Sequence, residues 1–187
     1  MSDEDAARAR VLGHLLTHSV KRGDFILKSG RRSSWFIDSK QTICSPEVMV
    51  DLAELLLERI PDGADAIGGL TMGADGVSFI TAGVAASRGR LLRAFSVRKE
   101  AKDHGAGGRI AGRLLAGDRV VITEDTVTRG TSLIEAARVV REFGATPVLL
   151  LAVVDRGGTA AAMAAEEGWA FDALFAAPDL GFDFEGA

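Results

Sequence analysis

Apolar residues recur at helical spacing in some stretches of this chain and form short continuous runs in others. Two amphipathic stretches predict helices over residues 3–19 and 131–143, each with its apolar side chains on one face. Residues 119–123 and 147–154 are almost continuously apolar and rich in β-branched side chains. Strands that are covered on both faces of a sheet have this composition. The pattern therefore predicts a parallel sheet buried between layers of helices.

Strand and helix patterns alternate from about residue 61 onward. Predicted strands cover residues 64–68, 91–97, 119–123 and 146–154, and predicted helices cover 74–87, 131–143 and 160–167. The alternation predicts an α/β fold with a doubly wound, mainly parallel sheet flanked by helices. We expect a single domain, in which residues 1–60 form a small N-terminal hood and residues 61–187 the core. The hood should contain a hairpin of strands over residues 24–28 and 34–39.

Composition and charge exclude several classes of protein. The 187 residues are 47% hydrophobic and 26% charged with a net charge of −4, so nothing indicates a nucleic-acid surface. The apolar runs are too short to span a bilayer, and the acidic start lacks a signal-peptide core. Cys44 is the single cysteine, which excludes an internal disulfide and a cysteine-based metal site. We expect a soluble, cytoplasmic protein without nucleic-acid or membrane partners.

The segment from Val120 to Ser132, VVITEDTVTRGTS, combines a strand end, two acids and a helix start. Adjacent carboxylates at Glu124 and Asp125 can accept hydrogen bonds from vicinal hydroxyl groups. Residues 126–132, the phosphate loop below, precede a helix whose unpaired backbone N–H groups favour an anion. The segment therefore predicts a site for a ribose that carries a 5-phosphate. An acidic turn that merely caps a helix is the alternative.

A basic loop follows the strand that ends at Val97. Residues 98–108, RKEAKDHGAGG, hold three fixed cations and a histidine ahead of three glycines. The glycines disfavour a helix, so we expect residues 99–112 to form a mobile loop. Such a loop suits a polyanionic substrate that must be enclosed and released. A solvated charged turn is the alternative, because Glu100 and Asp103 offset part of the positive charge.

Two segments resemble known motifs. Residues 120–132 resemble the 5-phosphoribosyl 1-pyrophosphate (PRPP) motif of type I phosphoribosyltransferases, and the string RKEAKDHG is similar to the catalytic loop of the orotate phosphoribosyltransferase family. The resemblance covers about Phe25 to Gly158. It implies transfer of the phosphoribosyl group from PRPP to N1 of orotate, which gives orotidine 5′-monophosphate and pyrophosphate in pyrimidine biosynthesis. It also implies a Mg²⁺ cofactor held mainly by PRPP and water, and a homodimer in which the 98–108 loop completes the partner's site.

The resemblance also implies roles for individual residues. The implied PRPP-binding residues are the basic loop's polar side chains, the two acids and the phosphate loop: Arg98, Lys99, Lys102, His104, Glu124, Asp125, Thr126, Val127, Thr128, Arg129, Gly130, Thr131 and Ser132. Lys102 or His104 would donate a proton to the leaving pyrophosphate, and Asp125 is the third catalytic candidate. Lys28, Thr128 and Arg156 would bind orotate, Arg156 through the carboxylate of the base.

Several features depart from the family pattern or stay open. Arg129 stands where the family loop often has threonine, and Thr71-Met72 stands where many relatives carry a Tyr-Lys pair. Phe25 and Trp35 either line the orotate pocket or pack against the core. His14 and His18 have the spacing of a metal site, although a surface helix explains them more simply. A phosphoribosyltransferase for another nucleobase and a non-catalytic PRPP-sensing regulator are the competing functions.

Overall fold

Residues 120–127 lie in one of the two central strands of a six-stranded sheet. In the computed structural model, which describes residues 2–26, 30, 32–102 and 108–186, the strand order is β5-β4-β3-β6-β7-β8. Neighbouring strands are parallel except β5, which is antiparallel to β4. The strands are β3 (Ala66–Leu70), β4 (Arg93–Lys102), β5 (Gly108–Gly112), β6 (Arg119–Val127), β7 (Thr146–Asp155) and β8 (Phe171–Ala176).

Helices connect the parallel strands and cover both faces of the sheet. They are α4 (Gly73–Ser87), α5 (Thr131–Phe143) and α6 (Ala160–Glu166), with a 3₁₀ turn at Ala177–Leu180. Along β6, Val121 packs in one apolar cluster, whereas Val120 and Ile122 pack in the other. A fully buried side chain of this size contributes roughly 1.5–3 kcal/mol to stability. The predicted doubly wound fold with a sheet buried on both faces is confirmed.

The hood consists of helices and one hairpin. Its elements are α1 (Asp3–His14), a π-helical turn (Leu15–Ser19), β1 (Val20–Ile26), β2 (Arg32–Ile37), α2 (Lys40–Ile43) and α3 (Met49–Leu57). Strands β1 and β2 pair antiparallel, as the sequence predicts. Leu15 and Leu52 from the hood share one apolar cluster with Val77 of α4. This shared packing fixes the hood against the sheet's neighbouring helix.

The prediction of a loop over residues 99–112 was wrong for the described residues, 99–102 and 108–112, which all lie in strands. Strand β4 continues to Lys102 and pairs with β5, with Val97 opposite Ile110 and Lys102 opposite Gly108. Glycines disfavour a helix but do not prevent extended backbone, and the charged side chains conceal the strand pattern. None of the described helices is long and apolar enough to cross a membrane.

Candidate active site

The carboxyl ends of five parallel strands lie at the same end of the sheet. Strand β3 is followed in the chain by β4 on one side, but its other neighbour in the sheet is β6. The direction of winding reverses between β3 and β6, where open α/β sheets bind their ligands. Glu124 and Asp125 lie on β6 at this position. The switch point therefore lies beside the predicted ribose site.

The acid pair, Glu124 and Asp125, is largely shielded from water. The two residues are only 7% and 9% exposed. Burial raises the pKa of Glu124 to about 9, and the hydrogen bond to Asp125 and that residue's negative charge contribute further. Glu124 is therefore protonated near neutral pH when no ligand is bound.

The start of α4 lies directly against the acid pair. A Cβ atom added to Gly73 would lie 1.7 Å from Oε1 of Glu124 and 2.8 Å from Oδ1 of Asp125. Only glycine permits this approach, which brings the backbone of α4's first turn to the carboxylates. The Thr71–Met72 peptide bond just before it is cis, and Thr71 N donates to Val97 O at 2.8 Å.

Two hood residues that the sequence did not single out reach the acid pair. Ser39 Oγ donates to Asp125 Oδ2 at 2.8 Å, and Lys40 Nζ donates to the same oxygen at 2.6 Å. Thr126 N donates to Oδ1 at 2.8 Å. Burial lowers the pKa of Lys40, but its hydrogen bond with Asp125 and the nearby carboxylates outweigh this and raise it. Asp125 is thus held by three donors.

The phosphate loop comprises the last two residues of β6, the turn at residues 128–130 and the first two residues of α5. Gly130 has φ +84°, a left-handed conformation that favours glycine, and its open Cβ position lies 3.1 Å from Ala160. The next residue begins α5, so backbone N–H groups of the first turn face the loop. Thr126 Oγ1 is buried without a hydrogen-bond partner among the described residues. Arg129 is exposed.

Arg98, Lys99 and Lys102 lie on strand β4 of the β4–β5 hairpin. Arg98 is half-buried and donates to the carbonyls of Gly108 and Ile110 at 3.5 and 3.4 Å. Lys99 is exposed. His104 and the side chain of Lys102 lie outside the described residues. The hairpin continues beyond the end of β3, since Val97 is the last β4 residue that pairs with that strand.

Arg156 lies in a turn at the end of β7, next to the phosphate loop. Asp155 Oδ1 accepts hydrogen bonds from the N–H groups of Gly157 and Gly158 at 3.0 and 2.9 Å. Arg156 N donates to Val127 O at 2.8 Å, and Thr159 Oγ1 donates to Thr128 O at 3.1 Å. The two predicted orotate-binding residues Thr128 and Arg156 are therefore on adjoining turns. Lys28, the third, lies outside the described residues.

The Arg156 side chain is buried and paired within the protein. It is 5% exposed, and its Nη2 donates to Ser33 Oγ at 2.9 Å and to Trp35 O at 2.7 Å. Its guanidinium lies 4.5 Å from the Trp35 ring centre. Nη2 is also 2.8 Å from Oε2 of Glu185, a residue that the sequence did not single out.

Trp35 packs on both of its faces. Arg156 covers one face, and Phe182 stacks at 4.3 Å with an interplanar angle of 3°. The ring is 2% exposed. This burial agrees with the interpretation in which the hairpin packs its aromatic side chains against the core. Phe25 is half-buried and contacts Phe36 at 5.8 Å between ring centres.

No metal site forms from the described side chains alone, since no three histidine, cysteine or acidic residues among them gather in metal-binding geometry. His14 and His18 contact each other at 4.3 Å between ring centres. The two ring nitrogens of His14 lie 3.0 and 3.2 Å from the hydroxyls of Thr42 and Ser45. These contacts account for His14 within the hood.

Comparison with known proteins agrees with this geometry. No family model matches the chain. An orotate phosphoribosyltransferase from Bradyrhizobium is 40% identical over 182 residues, covering 95% of this chain and 98% of that protein. Two structures of the Mycobacterium tuberculosis enzyme are similar. The complex with Fe(III) dicitrate has TM-score 0.84 and 33% identity over 94% of this chain and 99% of that one. The complex with PRPP has TM-score 0.80 and 30% identity over the same shares of the two chains. The chain belongs to the orotate phosphoribosyltransferase family.

Proposed function

We propose that the acid pair and the phosphate loop hold the ribose and the 5-phosphate of PRPP. The chain transfers the 5-phosphoribosyl group from PRPP to N1 of orotate, and the products are orotidine 5′-monophosphate and pyrophosphate. The observation that carries the assignment of roles is the position of Glu124 and Asp125. They lie at the switch point of the sheet, against the glycine start of α4 and next to the phosphate loop.

The acid pair offers oxygens to the ribose hydroxyl groups. Asp125 Oδ2 already accepts from Ser39 and Lys40, so the position favours hydrogen-bond donors. The loop offers backbone N–H groups at the start of α5 and the buried hydroxyl of Thr126, which together suit phosphate oxygens. Residues 127–132 complete this loop.

The reaction needs charge stabilisation rather than a covalent protein nucleophile. The orotate ring nitrogen attacks the anomeric carbon while pyrophosphate departs through an oxocarbenium-like transition state. Arg98, Lys99, Lys102 and His104 are proposed to stabilise the negative charge on the leaving group. The proton that pyrophosphate takes up would come from Lys102 or His104.

Orotate is proposed to bind at the Arg156 turn. A guanidinium can bind a carboxylate through two parallel hydrogen bonds. Arg156 Nε is buried and has no partner among the described residues, so a second donor is ready for an incoming carboxylate. Thr128 lies on the adjoining turn, and Lys28 is proposed to contribute a cation.

Mg²⁺ is part of the proposal, and the donor set fits it. Mg²⁺ prefers substrate phosphates with one or two carboxylates over an all-protein site, and the acid pair supplies carboxyl oxygens beside the phosphate loop. The ion would neutralise pyrophosphate oxygens when bound.

We also propose a homodimer, in which the 98–108 hairpin completes the partner's site, and a cytoplasmic location.

A direct assay tests the proposal. Purified protein, PRPP and Mg²⁺ are mixed with orotate, uracil or a purine base, and the loss of each base is followed by absorbance. We expect turnover with orotate and at least about 100-fold less with the others, because only orotate brings a carboxylate to Arg156. An Asp125→Asn variant should lose most activity. Turnover with another base instead, or PRPP binding without turnover, would refute the assignment in favour of a different transferase or a PRPP sensor.

A further inference from the structure

Residues 182–186 cross directly over the turn that carries Arg156. Glu185 N donates to Arg156 O at 3.1 Å. The Phe184 ring lies on Gly158, whose open Cβ position is 2.8 Å from the ring's Cγ atom. A backbone hydrogen bond and a ring contact therefore position the segment on this turn.

The Glu185 carboxylate contacts the same guanidinium that is proposed to bind orotate. Its Oε2 lies 2.8 Å from Arg156 Nη2, and its Oε1 accepts a hydrogen bond from Ser33. The side chains of Arg156 and Glu185 are only 6% and 14% exposed. A buried guanidinium without a counter-charge is unfavourable, so a carboxylate near Arg156 stabilises the free protein.

We propose that Glu185 is a further residue of the orotate site, an internal carboxylate that occupies Arg156 until the carboxylate of the base replaces it. The inference rests on the proposed role of Arg156. Both partners present a carboxylate, so the exchange keeps the buried guanidinium paired. Glu185 Oε2 lies 2.8 Å from Nη2, whereas Arg156 Nε has no hydrogen-bond partner among the described residues. An incoming carboxylate that engages both nitrogens would therefore make the better ion pair.

The exchange would move residues 183–186 and leave Phe182 in place. Phe182 stays anchored because it stacks on Trp35 and lies under the Arg22 guanidinium at 4.4 Å. Phe184, beyond it, is 46% exposed. A cavity of about 540 Å³ adjoins the segment. In the proposed exchange, residues 183–186 give up the backbone hydrogen bond to Arg156 and the Phe184 contact with Gly158, while Phe182 keeps its contacts.

Competition of this kind weakens the binding of orotate. The apparent Kd for orotate equals the intrinsic Kd divided by the fraction of molecules in which Glu185 has released Arg156.

The test compares wild type with Glu185→Gln and with a chain shortened after Asp183. We expect the KM for orotate to fall about three- to tenfold in both, whereas the KM for PRPP stays unchanged. Asp183→Asn is the matched control, because it removes an exposed carboxylate from the same segment and should leave both KM values unchanged. An unchanged or higher KM for orotate in Glu185→Gln would overturn the inference.

An Arg156→Lys variant separates this inference from the proposed function. If its KM for orotate equals that of wild type, the proposed orotate site is wrong, and the role of Glu185 fails with it. If Arg156→Lys raises that KM but both Glu185 changes leave it unaltered, Arg156 binds orotate and only the competition is refuted. Glu185→Gln decides the matter if thermal unfolding shows the shortened chain to be unstable.

Discussion

In the protein without substrate, the charges around the acid pair already suit the binding of ribose hydroxyl groups. Glu124 keeps its proton, Asp125 carries the negative charge, and Lys40 balances it at 2.6 Å. Ribose hydroxyl groups are also hydrogen-bond donors, so they can join or replace Ser39 and Lys40 on Asp125 without leaving its oxygens unpaired. The cation matters further because PRPP is a polyanion, which an unbalanced negative charge at the acid pair would repel.

Replacing Lys40 tests this balance. Lys40→Met should lower kcat/KM for PRPP about tenfold and leave the KM for orotate unchanged, a modest effect because the lysine is partly exposed. Lys40→Arg should retain most of the activity, since it keeps the charge. The control is Arg10→Met. It removes another ion pair of the hood, in which Arg10 Nε lies 2.6 Å from Asp51 Oδ2, and both of these residues are far along the chain from the acid pair. Equal effects on both substrates would show that Lys40 only stabilises the fold.

The protonated Glu124 predicts how stability depends on pH. Its pKa is about 9 in the folded protein against an ordinary value of 4.5. Between these values the folded chain keeps a proton that the unfolded chain releases, so this group's stabilising contribution is lost as pH rises through that range. Glu124→Gln, which cannot ionise, should show a smaller fall in Tm from pH 6 to pH 9 than wild type. Glu166→Gln, an exposed carboxyl on α6, should behave as wild type does, and an equally steep fall in Glu124→Gln would contradict the shift.

Elements with strong periodicity could be predicted from the sequence, and contacts between distant elements could not. Helix α5 matches the predicted span, because apolar residues recur along it at helical spacing and Gly144 ends it in a left-handed conformation. Strand β8 was missed, because Asp172 interrupts its short apolar run. The acid pair could be located because it follows an apolar, β-branched run, although β6 continues past the predicted end at residue 123 to Val127. Lys40 could not, because it meets Asp125 across 85 residues of chain. Only folding of the hood brings the two together.

The β4–β5 hairpin carries the cations that are proposed to contact pyrophosphate, and one of them gives a sharp test. Lys102→Ala should lower kcat by about 10²–10³ while Tm stays unchanged, because a lost leaving-group contact has this effect at comparable sites. Arg113→Ala, which removes an exposed cation just beyond β5, is the matched control. Near-normal turnover of Lys102→Ala would refute the catalytic role of the hairpin.

In the whole molecule, the proposed substrate contacts fall into two groups. One group lies at the carboxyl ends of β6 and β7, and the other lies on the β4–β5 hairpin. The acid pair, the phosphate loop and the Arg156 turn lie together at the ends of β6 and β7, which pair from Arg119 to Val127. The hairpin instead continues beyond the last residue that β4 pairs with β3. A projection of this kind can reach a second subunit, which is how the proposed homodimer would share residues between its sites.

Mixing two inactive variants tests that sharing. Lys102→Ala inactivates the hairpin, and Asp125→Asn inactivates the acid pair. If each hairpin completes the partner's site, a mixed dimer has one site with both defects and one site with neither. Random mixing makes about half of the dimers mixed, so about a quarter of wild-type activity should return. The variants are refolded together and assayed with orotate and PRPP, with each variant refolded alone as the control. If the hairpin serves its own subunit, every site keeps one defect, and the mixture stays as inactive as its parts.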